Sequence, residues 1–280
     1  MTKALVLGGG GVTGIAWELG VLCGLLRSGV PVADADVVIG TSAGSVVGTL
    51  VASGGDLEAA VALEEQIPAE RAPRTSGGDG SMSRAITALA VLADPAVPAQ
   101  QSRIRVGEFA LAATTTAEDA YVARIASLLP GRSWPTGRDL RITAVDTADG
   151  RDVVFGASSG VPVELAVAAS CAVPGLMPPI TIDGRRYMDG GVRLGAGADL
   201  AAGAEHLVVI APMAALDRDR ILAEMTSTGA AHAVLIEPDE ASLEAFGPNF
   251  MSQSRRGPSA RAGLHQGRSL AEAVRAVWLP

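Results

Sequence analysis

The fold is decided between Lys3 and Ala52, where the chain reads KALVLGGGGVTGIAWELGVLCGLLRSGVPVADADVVIGTSAGSVVGTLVA. Two short apolar runs, residues 3–7 and 36–39, each end at a glycine-rich turn. Apolar residues at helical spacing follow each turn, over about 14–28 and 45–52. Strand, glycine turn and helix, repeated, is the pattern of a parallel sheet with crossover helices. The sequence therefore predicts an α/β fold.

Length and composition fit one globular domain with a large core. The chain has 280 residues, of which 48% are hydrophobic and 19% charged, and this excludes disorder as the main state. We predict a single domain over 1–280, with a loop or lid insert at 68–107 that begins in a stretch rich in Pro, Arg, Ser and Gly. Further predicted strands lie at 140–146, 152–155, 179–182, 206–211 and 232–237, and further helices near 84–93, 107–129 and 268–278.

Charge and cysteine usage exclude several classes of protein. A net charge of -8 argues against nucleic acid as a partner, because a phosphate backbone would be repelled. The two Cys cannot form a disulfide framework, and with three scattered His they predict no metal site. No stretch reaches the roughly 18–20 apolar residues of a membrane-spanning helix. These features predict a soluble protein in the reducing cytoplasm.

The first glycine turn has three interpretations. Gly9-Gly10-Gly11-Val12-Thr13-Gly14 satisfies G-x-G-x-x-G between a strand and a helix, which is typical of dinucleotide sites, and Asp34 or Asp36 would then bind the ribose. The same backbone N–H groups at a helix N-terminus also attract a tetrahedral oxyanion. A tight turn that simply requires glycine is the third interpretation.

The second turn, Gly40-Thr41-Ser42-Ala43-Gly44, is a G-x-S-x-G nucleophile elbow. It places Ser42 between an apolar strand and a helix that begins at once, so Ser42 is the candidate nucleophile. A second match, Gly156-Ala157-Ser158-Ser159-Gly160, also follows an apolar run. Pro162 predicts that the next helix begins after it, which leaves Ser158 in an ordinary turn.

A serine nucleophile needs a base. His206 and His232 each open an apolar strand and His265 lies in a Gly/Arg-rich stretch, so none has a local signature of a catalytic triad. Asp189 is the better candidate, because it follows a hairpin-like segment and precedes two glycines that allow another backbone to approach the carboxylate. A plain turn aspartate is the alternative.

Together these motifs resemble the patatin-like phospholipase family of acyl hydrolases, and their order and spacing are similar to those of its bacterial members. The resemblance covers about residues 3–211 and includes the connecting stretch Ala169-Ser170-Cys171-Ala172-Val173-Pro174-Gly175. It implies a three-layer α/β/α patatin-like fold with a mostly parallel central sheet. It also implies cleavage of fatty acyl esters of phospholipids and other lipids, without a cofactor or a metal, and transient contact with a membrane surface.

The resemblance also assigns roles to residues. It implies a Ser-Asp dyad without a catalytic histidine, in which Ser42 is the nucleophile and Asp189 the base. Gly9, Gly10 and Gly11 form the oxyanion loop. The chain departs from the family at two positions: Thr13 stands where an Arg or Lys is usual, and Trp17 where many bacterial members carry His. Cys23 and Cys171 are interpreted as small buried hydrophobes.

Other functions stay open on the sequence. Thr13 in place of a cation favours a catalytically weak or inactive binding or regulatory module. A dinucleotide-binding oxidoreductase would use the first glycine turn with Asp34 or Asp36. An acyltransferase that uses Ser42 and a thioester donor is chemically close, but we would expect it to need a histidine.

Overall fold

The structure is a computed structural model that describes residues 2–66, 87–88, 90–94 and 96–279. The chain divides into two compact units, which are treated separately below. Unit 1 consists of Met1–Ala72, Pro135–Arg141 and Gly195–Pro280, and unit 2 of Pro73–Trp134 and Ile142–Leu194. The single-domain organisation stays a prediction.

The described chain begins with alternating strands and helices and continues with consecutive helices and consecutive strands. The strands are β1 (Lys3–Leu7), β2 (Val37–Gly40), β3 (Asp139–Asp146), β4 (Asp152–Phe155), β5 (Ile180–Ile182), β6 (Arg185–Asp189), β7 (His206–Ile210) and β8 (His232–Ile236). The α-helices are α1 (Gly11–Arg27), α2 (Ala43–Ala52), α3 (Leu57–Gln66), α4 (Ala99–Ala112), α5 (Glu118–Ala126), α6 (Val163–Ser170), α7 (Arg218–Ser227), α8 (Glu240–Phe246), α9 (Arg256–Ser269) and α10 (Ala271–Trp278). Among the described residues, none of these helices is both long and apolar enough to cross a bilayer.

Unit 1 contains a parallel sheet with strand order β2-β1-β7-β8. Leu5 of β1 pairs with Val38 on one side and with Val208 on the other, and Val208 pairs with Val234 of β8. All five residues of β7 are buried, which is why its sequence is continuously apolar after the first position. The fold is thus mixed α/β with a mostly parallel central sheet, as the sequence predicts.

Helix α9 corrects one sequence prediction. The sequence predicts the last helix only near 268–278, yet Arg256–Ser269 is helical as well. Its glycines allow close packing against α1: a Cβ on Gly263 would lie 2.3 Å from Trp17 O, and one on Gly20 would lie 2.2 Å from Ala260 O. Each glycine costs a helix about 1 kcal/mol relative to alanine, and here the close helix contact offsets that cost.

Unit 2 contains antiparallel pairs with strand order β5-β6-β3-β4. The hairpin between β5 and β6 confirms the predicted hairpin-like segment. Asp183 and Gly184 form its two-residue loop with φ of 50° and 76°, the positive values that a type I′ turn requires. Residue Ala144 of β3 pairs with Asp189 at the end of β6, so the hairpin sets the position of Asp189.

The predicted insert at 68–107 falls only partly on described residues. Residues 68–86, 89 and 95 lie outside them, whereas 87, 88 and 90–92 are helical. Helix α4 begins at Ala99, inside the predicted insert, and buries Val106 against Val145 and Met188. The single helical run predicted over 107–129 is wrong, because α4 and α5 are separate helices. Thr114-Thr115-Thr116 lies between them, and β-branched residues weaken a helix.

Candidate active site

Ser42 lies on a strained turn between β2 and α2. Its φ of 52° and ψ of -115° are unusual for a residue with a side chain. Only glycine fits on either side: a Cβ on Gly40 would lie 2.5 Å from Gly44 O, and one on Gly44 would lie 2.1 Å from Leu7 O. Steric contacts therefore require glycine at both of these positions of G-x-S-x-G. The turn has the geometry that the pattern predicts for a nucleophile elbow.

The elbow is tied to the end of β1 by backbone hydrogen bonds. Thr41 N donates to Leu7 O at 3.0 Å, and Gly44 N donates to Gly8 O at 3.0 Å. Ser42 is 7% exposed and precedes the first residue of α2, where the helix dipole is positive. The carbonyl of Ser42 accepts hydrogen bonds from the N–H and the hydroxyl of Ser45, at 2.9 and 2.7 Å, which tie the turn to the first turn of the helix.

The first glycine turn lies directly beside this serine. A Cβ on Gly9 would lie 3.7 Å from Ser42 Cβ, whereas one on Gly10 would lie only 2.6 Å from Pro212 Cβ. Among the described residues, Gly9 N and Gly10 N make no hydrogen bond with another backbone group. Gly11 begins α1 with a φ of +60°. Free backbone donors at a helix N-terminus, next to a strained serine, can stabilise an oxyanion.

Asp189 belongs to unit 2, where it ends β6 and caps a 3-10 turn. It is 5% exposed, and its Oδ1 accepts the N–H of Gly191 at 2.7 Å. Its own N–H donates to Ala172 O at 3.0 Å, which links it to the stretch after α6. A Cβ on Gly190 would lie 2.2 Å from Thr143 Oγ1, so the glycine after the carboxylate allows the close backbone approach that the sequence predicts.

Tyr121 is a neighbour of this region that sequence reasoning missed. Its hydroxyl donates to Cys171 O at 2.7 Å, inside the stretch that connects the motifs. Burial raises the pKa of the Tyr121 phenol well above its ordinary value, with smaller contributions from Cys171 and Asp189. Tyr121 is therefore a neutral donor that holds this loop. No local sequence signal marks it, because it lies on α5, far from either motif in the chain.

The family is shown by a match of the sequence to a family model. The model of the patatin-like phospholipase family matches residues 5–202, which is more than half of the chain and includes all three motifs. The chain belongs to the patatin-like phospholipase family. Members of this family are lipid acyl hydrolases. No curated protein sequence matches the chain significantly.

Three solved structures are similar to this patatin-like chain. VipD from Legionella pneumophila is 16% identical over 97% of this chain and 67% of that chain, with a TM-score of 0.49. The type III effector protein ExoU is 20% identical over 95% of this chain and 53% of that chain, with a TM-score of 0.41. The complex of full-length SpcU with full-length ExoU from Pseudomonas aeruginosa gives 16% identity over 100% and 53%, with a TM-score of 0.40. The chain thus spans about half the length of the ExoU chains.

Thr13, where patatin-like proteins usually carry a cation, has a specific partner. The side chain is fully buried, and both its N–H and its hydroxyl donate to Phe250 O, at 3.0 and 3.4 Å. Phe250 lies between α8 and α9, outside the matched residues 5–202. A neutral hydroxyl therefore connects the glycine loop to the C-terminal part of unit 1, a contact that the sequence could not predict.

Trp17, the second departure from the family pattern, is structural. Its indole N–H donates to Ser242 Oγ at 3.0 Å and to Gln266 Oε1 at 3.1 Å, and Ser242 Oγ donates to the same Gln266 oxygen at 2.9 Å. This buried network joins α1 to α8 and α9. A satisfied buried network of this kind fixes how helices pack.

Glu18, one residue further along α1, is an unexpected buried carboxyl. It is fully buried, and among the described residues neither of its oxygens has a hydrogen-bond partner. Burial raises the pKa of Glu18 well above its ordinary value, and the nearby Gly8 N–H, which donates to Ile210 O, offsets this only in part. Burial therefore favours the neutral form of Glu18 in the folded protein, and nothing in the sequence pattern of α1 marks it.

The histidines do not support a triad. Lys3, His206 and His232 pair in register at the amino ends of β1, β7 and β8. Ser42 follows the carboxyl end of the parallel strand β2, at the opposite edge of this sheet. The rings of His206 and His232 stack with centroids 5.0 Å apart. His265 is exposed on α9.

The positions of Asp34 and Asp36 in the sheet argue against the dinucleotide alternative. Ligands of such folds bind at the carboxyl ends of the strands. Asp34 and Asp36 precede β2 at its amino end, and Asp36 Oδ2 accepts the N–H of Lys3, the first residue of β1. Gly9 follows the carboxyl end of β1, so neither aspartate shares its edge of the sheet. Within the described part of the chain, no group of three or more His, Cys, Asp or Glu could hold a metal ion.

The second G-x-S-x-G match forms an ordinary turn, as predicted. Ser158 is exposed in the 3-10 turn Ala157–Ser159, and α6 begins only after Pro162. Cys23 is buried, which agrees with its interpretation as a small hydrophobe, and burial followed by a hydrogen bond with Glu58 raises the pKa of its thiol to about 11. Cys171 is only partly buried.

Proposed function

We propose that this patatin-like protein is a serine carboxylic ester hydrolase that cleaves fatty acyl esters of phospholipids and related lipids. Ser42 is the nucleophile, Asp189 the general base, and Gly9, Gly10 and Gly11 the oxyanion loop. The observation that carries the proposal is the strained Ser42 turn beside Gly9, at the carboxyl edge of the parallel sheet. A cytoplasmic location and transient contact with a membrane surface stay predictions.

The proposed reaction has two steps. Asp189 accepts the Ser42 proton while Oγ bonds to the ester carbonyl carbon, and the carbonyl electron pair moves to oxygen, where the N–H groups of Gly10 and Gly11 receive it. The tetrahedral intermediate collapses, and the leaving alcohol takes the proton from Asp189. Water, deprotonated by Asp189, then attacks the carbonyl carbon of the acyl-Ser42 ester. As the fatty acid leaves, Ser42 Oγ takes the proton back from Asp189, and this restores both side chains.

Oxyanion stabilisation has to supply most of the acceleration. A carboxylate has an ordinary pKa near 4 and is a weak base for a hydroxyl, so it needs direct contact with the serine. A single well-placed oxyanion donor contributes about 3–4 kcal/mol. The N-terminus of α2 adds a positive dipole on the same side as the reacting serine.

Ester turnover by variants tests the dyad. Ser42→Ala and Asp189→Asn should each lower kcat on p-nitrophenyl esters by about a thousandfold or more, as losses of catalytic-unit residues do. Matched controls are Ser158→Ala, in the exposed second motif, and Asp183→Asn, in the hairpin turn of unit 2, where asparagine accepts a positive φ. If either dyad variant keeps wild-type turnover, the assignment is wrong.

A binding or regulatory module is the second candidate function. It is favoured by Thr13, whose neutral hydroxyl binds Phe250 O where the family usually has a cation. A serine-reactive fluorophosphonate separates the two candidates. An active hydrolase is labelled at Ser42, whereas an inert module is not labelled under conditions that label a control serine esterase.

A further inference from the structure

The 247–252 segment, between α8 and α9, lies on the glycine loop. A Cβ on Gly11 would lie 2.8 Å from Phe250 O and 3.0 Å from Met251 Sδ. The thioether of Met251 therefore packs directly on the residue that begins α1. These residues all belong to unit 1, and the segment lies outside the residues that match the family model.

Two sets of contacts fix this segment in place. On one side, Thr13 N and Thr13 Oγ1 both donate to Phe250 O. On the other, the Phe250 ring lies 5.8 Å from Phe246, which makes an edge contact with Trp17 of α1 at 5.9 Å. Within the segment, Asn249 Oδ1 accepts the N–H of Met251 at 2.9 Å. These contacts fix the backbone at Met251, which therefore does not lie at the tip of a free loop.

Met251 combines this fixed backbone with an adaptable apolar side chain. It is half-buried, so part of the residue is open to solvent. Methionine fits irregular apolar shapes because it is unbranched and polarisable. An acyl carbonyl held by the loop amides would begin its apolar chain near Gly11, which this thioether contacts. The polar head group of a lipid would gain nothing from a thioether.

We infer that Met251 is a specificity-determining residue that contacts the acyl chain of the substrate. The inference rests on the proposed function. Met251 packs on Gly11, one of the two residues whose N–H groups are proposed to hold the carbonyl oxygen, so an acyl chain bonded to that carbonyl starts close to the thioether. An acetyl group offers this contact one methyl group, whereas an octanoyl group offers a chain of seven carbons.

Hydrolysis of p-nitrophenyl acetate and octanoate by matched variants tests this. Met251→Gln keeps the length of the side chain but makes it polar, and it should lower the octanoate-to-acetate ratio of kcat/KM by about tenfold through a higher KM for octanoate. Met251→Leu should keep the ratio within about twofold, because it keeps the apolar volume. Leu243→Gln on α8, which makes the same kind of change at an exposed position, should leave the ratio unchanged.

Each outcome decides the inference. An unchanged ratio in Met251→Gln overturns it. An equal loss on both esters also overturns it, because Met251 would then support the glycine loop without contacting the acyl chain. If the unmodified protein hydrolyses neither ester while a fluorophosphonate labels no residue, the proposed function itself fails, and the inference fails with it.

Discussion

Gly44→Ala is the substitution that tests the elbow geometry most sharply. A Cβ at this position would lie 2.1 Å from Leu7 O, whereas real Cβ atoms keep at least 3.0 Å from such an atom. The obstacle is the backbone of β1, in the middle of the sheet, so the start of α2 has to move. To remove this clash, the added Cβ and Leu7 O have to move apart by at least 0.9 Å, the difference between 2.1 and 3.0 Å.

A shift of this size should displace Ser42, which lies two residues before Gly44. A misplacement of about 1 Å in a catalytic geometry can cost about a hundredfold in rate, which corresponds to about 2.7 kcal/mol of transition-state stabilisation. We expect kcat on p-nitrophenyl acetate to fall by about that factor. The helix itself should persist, because alanine is a better helix former than glycine by about 1 kcal/mol.

Gly48→Ala is the matched control on the same helix. A Cβ there would lie 3.2 Å from Val38 Cγ1, a side-chain atom that can yield by a few tenths of an ångström. Turnover should stay near that of the wild type, and circular dichroism should show a folded protein for both variants. Wild-type kcat in a folded Gly44→Ala protein would refute the steric reasoning about the elbow.

Three further predictions concern stability and reactivity. Glu18→Gln should raise Tm more at pH 8 than at pH 5. Burial favours protonated Glu18 in the folded wild type, whereas in the unfolded chain the same carboxyl ionises above a pH of about 4.3. An equal gain in Tm at both pH values would contradict this. Gly263→Ala should lower the free energy of unfolding by about 1–3 kcal/mol, since its Cβ would lie 2.3 Å from Trp17 O. The control Gly131→Ala should not lower it, because no atom lies within 4 Å of the added Cβ. Denaturant titration of both variants would show the contrast. Cys23, with a thiol pKa of about 11, should resist iodoacetamide at pH 8 until the protein unfolds, and rapid labelling of the native state, followed by mass spectrometry, would oppose this.

Local patterns predicted the parts of the fold that depend on local physics. The apolar runs predicted the parallel strands because strands buried on both faces have to be apolar throughout. The G-x-S-x-G pattern predicted the turn at Ser42 because Gly40 avoids a clash with Gly44 inside the motif, whereas Gly44 avoids one with Leu7 of the neighbouring strand β1. The Asp-Gly loop of the hairpin before Asp189 is another local signal, since both positions need a positive φ.

Long-range contacts account for what the sequence could not predict. Helix α9 was missed because its glycines weaken a helix locally. They stabilise the fold only through close packing against Trp17 and Val21 of α1. Thr13 donates to Phe250 O, 237 positions away in the sequence, and no pattern in either segment predicts this contact. The raised pKa of Glu18 likewise comes from burial that only the packed structure provides.

The most direct test of the central claim measures how fast a fluorophosphonate labels the protein and which residue it labels. The account predicts that mass spectrometry finds the label on Ser42, that Ser158→Ala reacts like the wild type, and that Asp189→Asn reacts at least about a hundredfold more slowly. A label on another residue, or an unchanged rate in a folded Asp189→Asn protein, would contradict it.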